Sequence, residues 1–277
     1  MLKRKMSETL MKWKGAPKRK VLLLLGARQT GKTFTVRRFA REQYRSFIEV
    51  NFLDSEEDGA FLAGAQSADE MVSRLSLVAG RAIEPGTLVF FDEVQAAGRE
   101  IVTLSKFLVD DGRFDLILSG SLLGTALSGV ASFPVGYARI ERMYPLDFEE
   151  FCWALGMPGS IMDEIRAHYA AKTPLEESLH ARLTKVFRQY IAVGGMPEAV
   201  QRFLDGGRDL GAAREVDADI VEQYRYDIAK YSEWRKLQIR TIFDNIPAQL
   251  TKENKRFLMM SVKKDATFDR LKDDLPG

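Results

Sequence analysis

Between Val21 and Ala40 the chain reads VLLLLGARQTGKTFTVRRFA, and this stretch limits the possible fold tightly. An apolar run stops at Gly26. The octet Gly26-Ala27-Arg28-Gln29-Thr30-Gly31-Lys32-Thr33 follows, and helical spacing takes over after it. The pattern G-x-x-x-x-G-K-[ST], with a strand before it and a helix behind it, predicts a phosphate-binding loop. A triphosphate concentrates negative charge in a small volume, and a sharply turned main chain can surround it with inward-pointing N–H groups. Gly26 and Gly31 are expected to supply turns that a Cβ would obstruct. The helix beginning near Lys32 would turn its N-terminal amides and dipole toward the phosphates. Lys32 is placed for the β- and γ-phosphates of a nucleoside triphosphate, and the Thr33 hydroxyl for Mg²⁺.

A loop of this kind needs a carboxylate at the end of a neighbouring strand to hold the metal through its water shell. Thr87-Leu88-Val89-Phe90-Phe91-Asp92-Glu93 supplies one: four apolar residues, then two acids at the C-terminal end, where open α/β sheets bind ligands. Asp92 is the candidate metal-side carboxylate, and Glu93 the candidate general base for an attacking water. A further apolar run, Phe114–Leu118, ends in Ser119-Gly120-Ser121. A polar side chain there is expected between the loop and the Asp92 strand, oriented toward the water and the γ-phosphate. Ser119 is the first choice and Ser121 the second.

The segments GARQTGKT, FFDEVQ, LSGS, PVGYARIERMYPLDFEEF and YIAVGGMPEAV, in that order, resemble the bacterial and archaeal AAA-type ATPases of the "AAA domain, family 14" group, which usually carry a C-terminal DUF4143 region. The resemblance spans roughly Leu10 to the end. Its specific parts are the Pro145–Phe151 block and Gly194-Gly195-Met196-Pro197. It implies nucleotide-loop roles for Lys32 and Thr33, metal and base roles for Asp92 and Glu93, a glutamine at the Gln95 position, and a sensor role for Ser119. The family often has Arg directly after the Gly preceding the Pro-Leu block, whereas Tyr137 follows Gly136 here. Arg139 and Arg142 lie nearby, and either is a candidate for reaching a phosphate of the same or a neighbouring subunit. A solvated basic face is the alternative for both.

Strands are predicted at 21–25, 46–52, 87–92, 114–119 and 138–143, with helices between them at 32–43, 69–80 and 99–110. Such alternation implies a parallel P-loop NTPase sheet with helices on both faces. Beyond Pro145 the pattern is helical, at 147–156, 160–170, 175–190, 196–205 and 211–230. The expected divisions are a basic N-terminal segment 1–18, an AAA-type core 19–150, a helical lid or linker 151–232, and a C-terminal unit 233–277. In that last unit, short helices at 237–243 and from Pro247, then Phe257–Val262 with interleaved bases, suggest a helix-turn-helix or partial winged-helix region. The resembled family would continue further, so a truncated C-terminus is expected, with the output activity beyond it.

The 277 residues hold 41 Lys/Arg and 39 Asp/Glu, a net charge of +2 that exerts no strong global pull toward nucleic acid. The first twenty residues nevertheless hold eight Lys/Arg and one acid, Glu8. They suit either an arm for a phosphate backbone or an amphipathic helix packing Leu10, Met11 and Trp13 on the core. A single cysteine, Cys152, excludes an internal disulfide and a zinc cluster. His168 and His180 lie in predicted helices and suggest no chemistry. No apolar run is long enough to cross a membrane, and the chain reads as cytoplasmic. The leading reading is a Mg²⁺-dependent ATP hydrolase acting as a switch or motor, with a homo-oligomer and duplex DNA as candidate partners. A DNA- or partner-binding module with ATP as structural ligand, and a P-loop kinase, are the alternatives. A guanine-reading [NT]-K-x-D is lacking, since Thr251-Lys252-Glu253-Asn254 has no Asp at the needed place.

Overall fold

The computed structural model describes residues 2–17, 19–97, 105, 108–110, 112–121, 137–228 and 233–251. These divide into two compact units, Met1–Leu210 and Gly211–Gly277. In the first, α1 (Met6–Lys14) precedes β1 (Val21–Gly26) and α2 (Lys32–Gln43). Then come β2 (Phe47–Asn51), α3 (Glu56–Ala63), α4 (Ala68–Ala79), β3 (Leu88–Asp92), a 3₁₀ turn at Val94–Ala96, β4 (Asp115–Ser121) and β5 (Ala138–Arg142). The five strands form one parallel sheet in the order β2-β3-β4-β1-β5.

The continuous apolar strands follow from burial on both faces. Alternate residues point to opposite sides. Val21, Leu23 and Leu25 join Val89, Phe91, Leu116 and Leu118 in a cluster with Leu62 of α3 and Met71 and Leu75 of α4. Leu22, Leu24, Phe90 and Ile117 face the other way, onto Leu10 and Trp13 of α1 and Val36, Phe39 and Ala40 of α2. The N-terminal segment therefore takes the packed-helix form. Leu10 and Trp13 are buried as expected, but Met11 is 47% exposed and belongs to the outer face. The predicted helix at 99–110 lies largely outside the described residues. The short helix α3, which the pattern does not announce, is held by Leu62 and by Gly59 against Ala97.

After the sheet come α5 (Phe148–Ala154), α6 (Gly159–Ala171), α7 (Glu177–Val193) and α8 (Pro197–Asp205). A capping box starts α5: the Asp147 carboxylate accepts from the Glu150 N–H at 2.9 Å, and the Glu150 carboxylate from the Asp147 N–H at 3.2 Å. Cys152, Met162 and Leu183 form one small core. Phe151 lies against Tyr190 and Phe203, with centroids 5.4 and 6.2 Å away.

The second unit contains nearly all of α9 (Leu210–Ile228), so the 211–230 helix groups there, and α10 (Glu233–Leu250). Arg225 reaches Asp244 at 3.1 Å, and Tyr224 and Phe243 lie 6.5 Å apart. One expectation is corrected here. The two short helices at 237–243 and from Pro247 are a single helix with Pro247 inside it. Proline disfavours but does not forbid an interior position, and here it removes one N–H without ending the run. The proposed wing at 257–262 lies outside the described residues.

Candidate functional site

The loop Gly26–Thr33 joins β1 to α2 at the C-terminal edge of the sheet. Its two glycines serve different ends. Gly31, at the N-cap of α2, has φ +88°, a left-handed conformation that suits glycine. Gly26 has no positive φ; a Cβ there would overlap the Met143 carbonyl just past β5. The turn expected at Gly26 is thus a close approach of two backbones. Met143 also donates its N–H to the Leu25 carbonyl at 2.7 Å, which fixes that approach.

Lys32 is 5% exposed and curls over the loop, donating from Nζ to the Gly26 and Ala27 carbonyls at 3.0 Å each. Burial pushes its ammonium below the ordinary lysine value, against the opposing pull of Glu93 and Asp92. Arg28 adds a like charge that acts in the same direction as burial. Thr30 closes the loop internally, its hydroxyl donating to the Ala27 carbonyl at 2.9 Å.

Three elements converge on Asp92. Thr33 Oγ1, on the first turn of α2, donates to Asp92 Oδ2 at 2.6 Å. Ser119, paired in register with Leu24 on the strand between β1 and β3, donates its hydroxyl to Asp92 Oδ1. The Glu93 N–H reaches the same oxygen at 3.0 Å. Asp92 is 2% exposed, so these bonds satisfy a carboxylate that water does not reach freely. A Thr hydroxyl and a carboxylate this close are a hard-oxygen pair suited to Mg²⁺, and the residues present fit that ion.

Glu93 has φ +54°, and Gln29 has φ +65°. Four non-glycine residues among those described are left-handed, and these two belong to the site. Such backbone costs of order 1–3 kcal/mol each and persists where surroundings over-determine it. The Glu93 carboxylate accepts from the Gln95 amide, whose oxygen in turn accepts from the Ser121 N–H at 3.4 Å. Ser121 thus meets the site through its backbone, while the Ser119 side chain touches Asp92.

The two arginines differ. Arg139 pairs with Leu22, three positions back from the strand end, and is engaged by Glu141 at 2.7 Å. Arg142 pairs with Leu25, beside Gly26, on the exposed edge of the sheet.

Several neighbours of the loop are illegible in the sequence motif. Arg4 is 8% exposed and donates from Nη1 to the Thr30 carbonyl at 2.8 Å and from Nη2 to the Tyr144 carbonyl at 2.6 Å. Its Nε lies 3.2 Å from Glu150 Oε1. Leu146 donates its N–H to the Gly195 carbonyl at 2.6 Å, and Tyr190 donates its hydroxyl to the Leu146 carbonyl at 2.8 Å. The Pro-Leu and Gly-Gly blocks are therefore stitched together, and Pro197 Cγ lies 3.7 Å from where a Gly31 Cβ would stand. The D-x-x-E spacing of Asp147 and Glu150 was the available signal for this cluster.

Residues 18–152 match the AAA domain family, and residues 184–273 match a domain of unknown function, DUF8612, which begins within the expected lid and overlaps the 233–277 region where DUF4143 was expected. No functionally curated protein matches the chain by sequence. Among solved structures, the Walker-type ATPase PABY2304 of Pyrococcus abyssi is similar at 17% identity and TM-score 0.57, over 99% of this chain and 88% of that one. C. elegans PCH-2 is similar at 12% identity and TM-score 0.44, over 77% and 69%. The Aeropyrum pernix Orc1 protein, in complex with DNA, is similar at 15% identity and TM-score 0.37, over 98% and 82%. The first of these supports a shared fold, and the other two scores are too low to add to it.

Proposed function

We propose that this chain, whose residues 18–152 match the AAA domain family, hydrolyses ATP and uses the cycle as a switch or motor. The observation that carries this reading is the convergence of Thr33 and Ser119 on Asp92, with Glu93 next to it. A carboxylate ligand for the metal and a separate base for water are the two groups that hydrolysis requires.

In this reading the loop amides and the N-terminus of α2 bind the phosphates, and Lys32 leaves the Gly26 and Ala27 carbonyls to neutralise them. Thr33 and Asp92 would hold Mg²⁺, which would supply positive charge to neutralise the phosphates. Glu93, released from Gln95, takes a proton from the water aligned with the γ-phosphate. Ser119 orients the Asp92 carboxylate and reports the occupancy of the γ-position through β4. Arg142 is the arginine better placed to reach a phosphate across a subunit boundary, because Arg139 is held by Glu141.

Phosphate release from Mg-ATP tests the reading. Lys32→Ala should abolish binding, and Glu93→Gln should bind and stall, losing about 10²–10⁴ in turnover. Unchanged ATP affinity in Lys32→Ala would remove the loop assignment. ATP binding without turnover, with or without duplex DNA and in every oligomeric state, would favour a structural nucleotide in a binding module. Transfer to an acceptor in place of phosphate release would favour a kinase. Mixing Arg142→Ala with Lys32→Ala subunits should restore turnover if the arginine acts in trans. DNA action is carried here only as the comparison between those two conditions.

A further inference from the structure

We propose that Arg4 is a positioning residue for the nucleotide: it grips the phosphate loop from outside and so aims the Gly31 N–H at the phosphates. The proposal rests on the nucleotide reading above and adds a residue that no loop motif contains.

The argument starts from the peptide plane. In a trans peptide the carbonyl of one residue and the N–H of the next point in opposite directions. The Thr30 carbonyl is held by Arg4 Nη1 at 2.8 Å, so the Gly31 N–H points away from the guanidinium. Gly31 is the left-handed N-cap of α2, where the motif requires an N–H directed at phosphate. Without a partner for the Thr30 carbonyl, a glycine next to it leaves this plane free to rotate.

The same guanidinium is anchored on two other sides. Nη2 holds the Tyr144 carbonyl at 2.6 Å, where the chain leaves β5. Nε lies 3.2 Å from Glu150 Oε1, a buried ion pair without hydrogen-bond geometry, and the two side chains are 9% and 6% exposed. Glu150 also accepts the Lys5 N–H at 2.6 Å and closes the capping box of α5. One side chain therefore ties the phosphate loop, the exit of the edge strand and the first helix of the lid to the N-terminal segment.

Stability alone is a weak reason for such a pair, because burying two charges costs about as much as their attraction returns. The directed donors at two carbonyls are what an apolar pair lacks. A lysine, with a single point charge, cannot hold both carbonyls and the carboxylate in a fixed plane.

The test measures Mg-ATP affinity by calorimetry and the thermal unfolding midpoint for five proteins: wild type, Lys32→Ala, Arg4→Lys, Arg4→Met and Arg4→Met/Glu150→Gln. The double variant removes both buried charges and keeps an acceptor for the capping box. It should unfold nearer the wild-type temperature than Arg4→Met does, yet bind Mg-ATP on the order of tenfold more weakly than wild type. Arg4→Lys should show a comparable loss of affinity. Wild-type affinity in a folded double variant overturns the proposal and leaves Arg4 a structural ion-pair partner. Should the double variant not fold, Arg4→Lys decides by the same criterion. If the wild type binds no ATP, or Lys32→Ala binds as well as wild type, the nucleotide reading itself fails, and that result is separate from the Arg4 outcome.

Discussion

Replacing Gly195 by alanine puts a defined strain between the two sequence blocks that frame the phosphate loop. The new Cβ would overlap the Leu146 carbonyl oxygen and stand 3.1 Å from the Leu146 nitrogen and 3.2 Å from its carbonyl carbon. All three are main-chain atoms, so no rotamer change relieves the contact, and the segments must separate. Separation breaks the 2.6 Å bond from the Leu146 N–H to the Gly195 carbonyl. Leu146 is 1% exposed, which leaves that N–H without ready access to water. Overpacking costs about 1–3 kcal/mol, and losing a buried hydrogen bond adds about 1 kcal/mol, so a loss of about 2–4 kcal/mol is expected. For a unit of this size each kcal/mol lowers the unfolding midpoint by about 2–4 °C, and a fall of about 10 °C follows. Far-ultraviolet circular dichroism melting reads it. Gly159→Ala is the control, since no atom lies within 4 Å of its Cβ and the first position of a helix accepts alanine. A Gly195→Ala midpoint within 2 °C of wild type (about 1 kcal/mol or less) would refute the steric reasoning.

Gly26→Ala should weaken Mg-ATP binding at least tenfold, because its Cβ displaces the Met143 backbone that braces the loop; unchanged affinity in a calorimetric titration would contradict this. Burial and the 2.8 Å bond to Asp115 push the Tyr44 hydroxyl well above its ordinary value of 10.0. The folded state therefore keeps a proton that the unfolded chain loses. This contribution is fully present below about pH 10 and declines as pH rises through the folded value, by up to about 1.4 kcal/mol per pH unit. Tyr44→Phe should flatten that alkaline decline in urea melts from pH 9 to 11, and an unchanged slope would count against it. Burial pushes the Cys152 thiol up to about 11, so iodoacetamide at pH 8 should label it far more slowly in the native than in the urea-unfolded protein.

The sheet was legible because strands buried on both faces must be continuously apolar, and Val21–Leu25 and Leu88–Phe91 leave little alternative. The positions of the loop and the acids were legible because an apolar run ending in the glycine-rich octet or in Asp92-Glu93 sets each at the C-terminal end of a strand. Ser119 could be placed for the same reason, since a strand between β1 and β3 delivers its polar end to both. The reason for Gly26 was not legible, because it depends on a backbone more than a hundred residues away. Arg4 was hidden among eight basic residues of similar appearance, and only the fold shows that it is buried. Pro247 misled because local propensity reads proline as a start or stop, whereas α10 continues through it.

The strand order also bears on how the chain is made. Among the described strands β1 is made first, yet both of its neighbours, β4 and β5, are made last. β2 and β3 can pair with each other while they wait, but Val21–Leu25 cannot join them until Asp115–Ser121 arrives. The Lys5–Glu150 bond closes over 145 residues, which at ~5–20 residues per second is roughly 7–30 s of synthesis. Until β4 is made, a strongly apolar strand carries two open edges, the condition in which nascent chains aggregate or engage chaperones. Part of the nucleotide loop grows from that strand, so the ATP site can be assembled only near the end of the domain's synthesis.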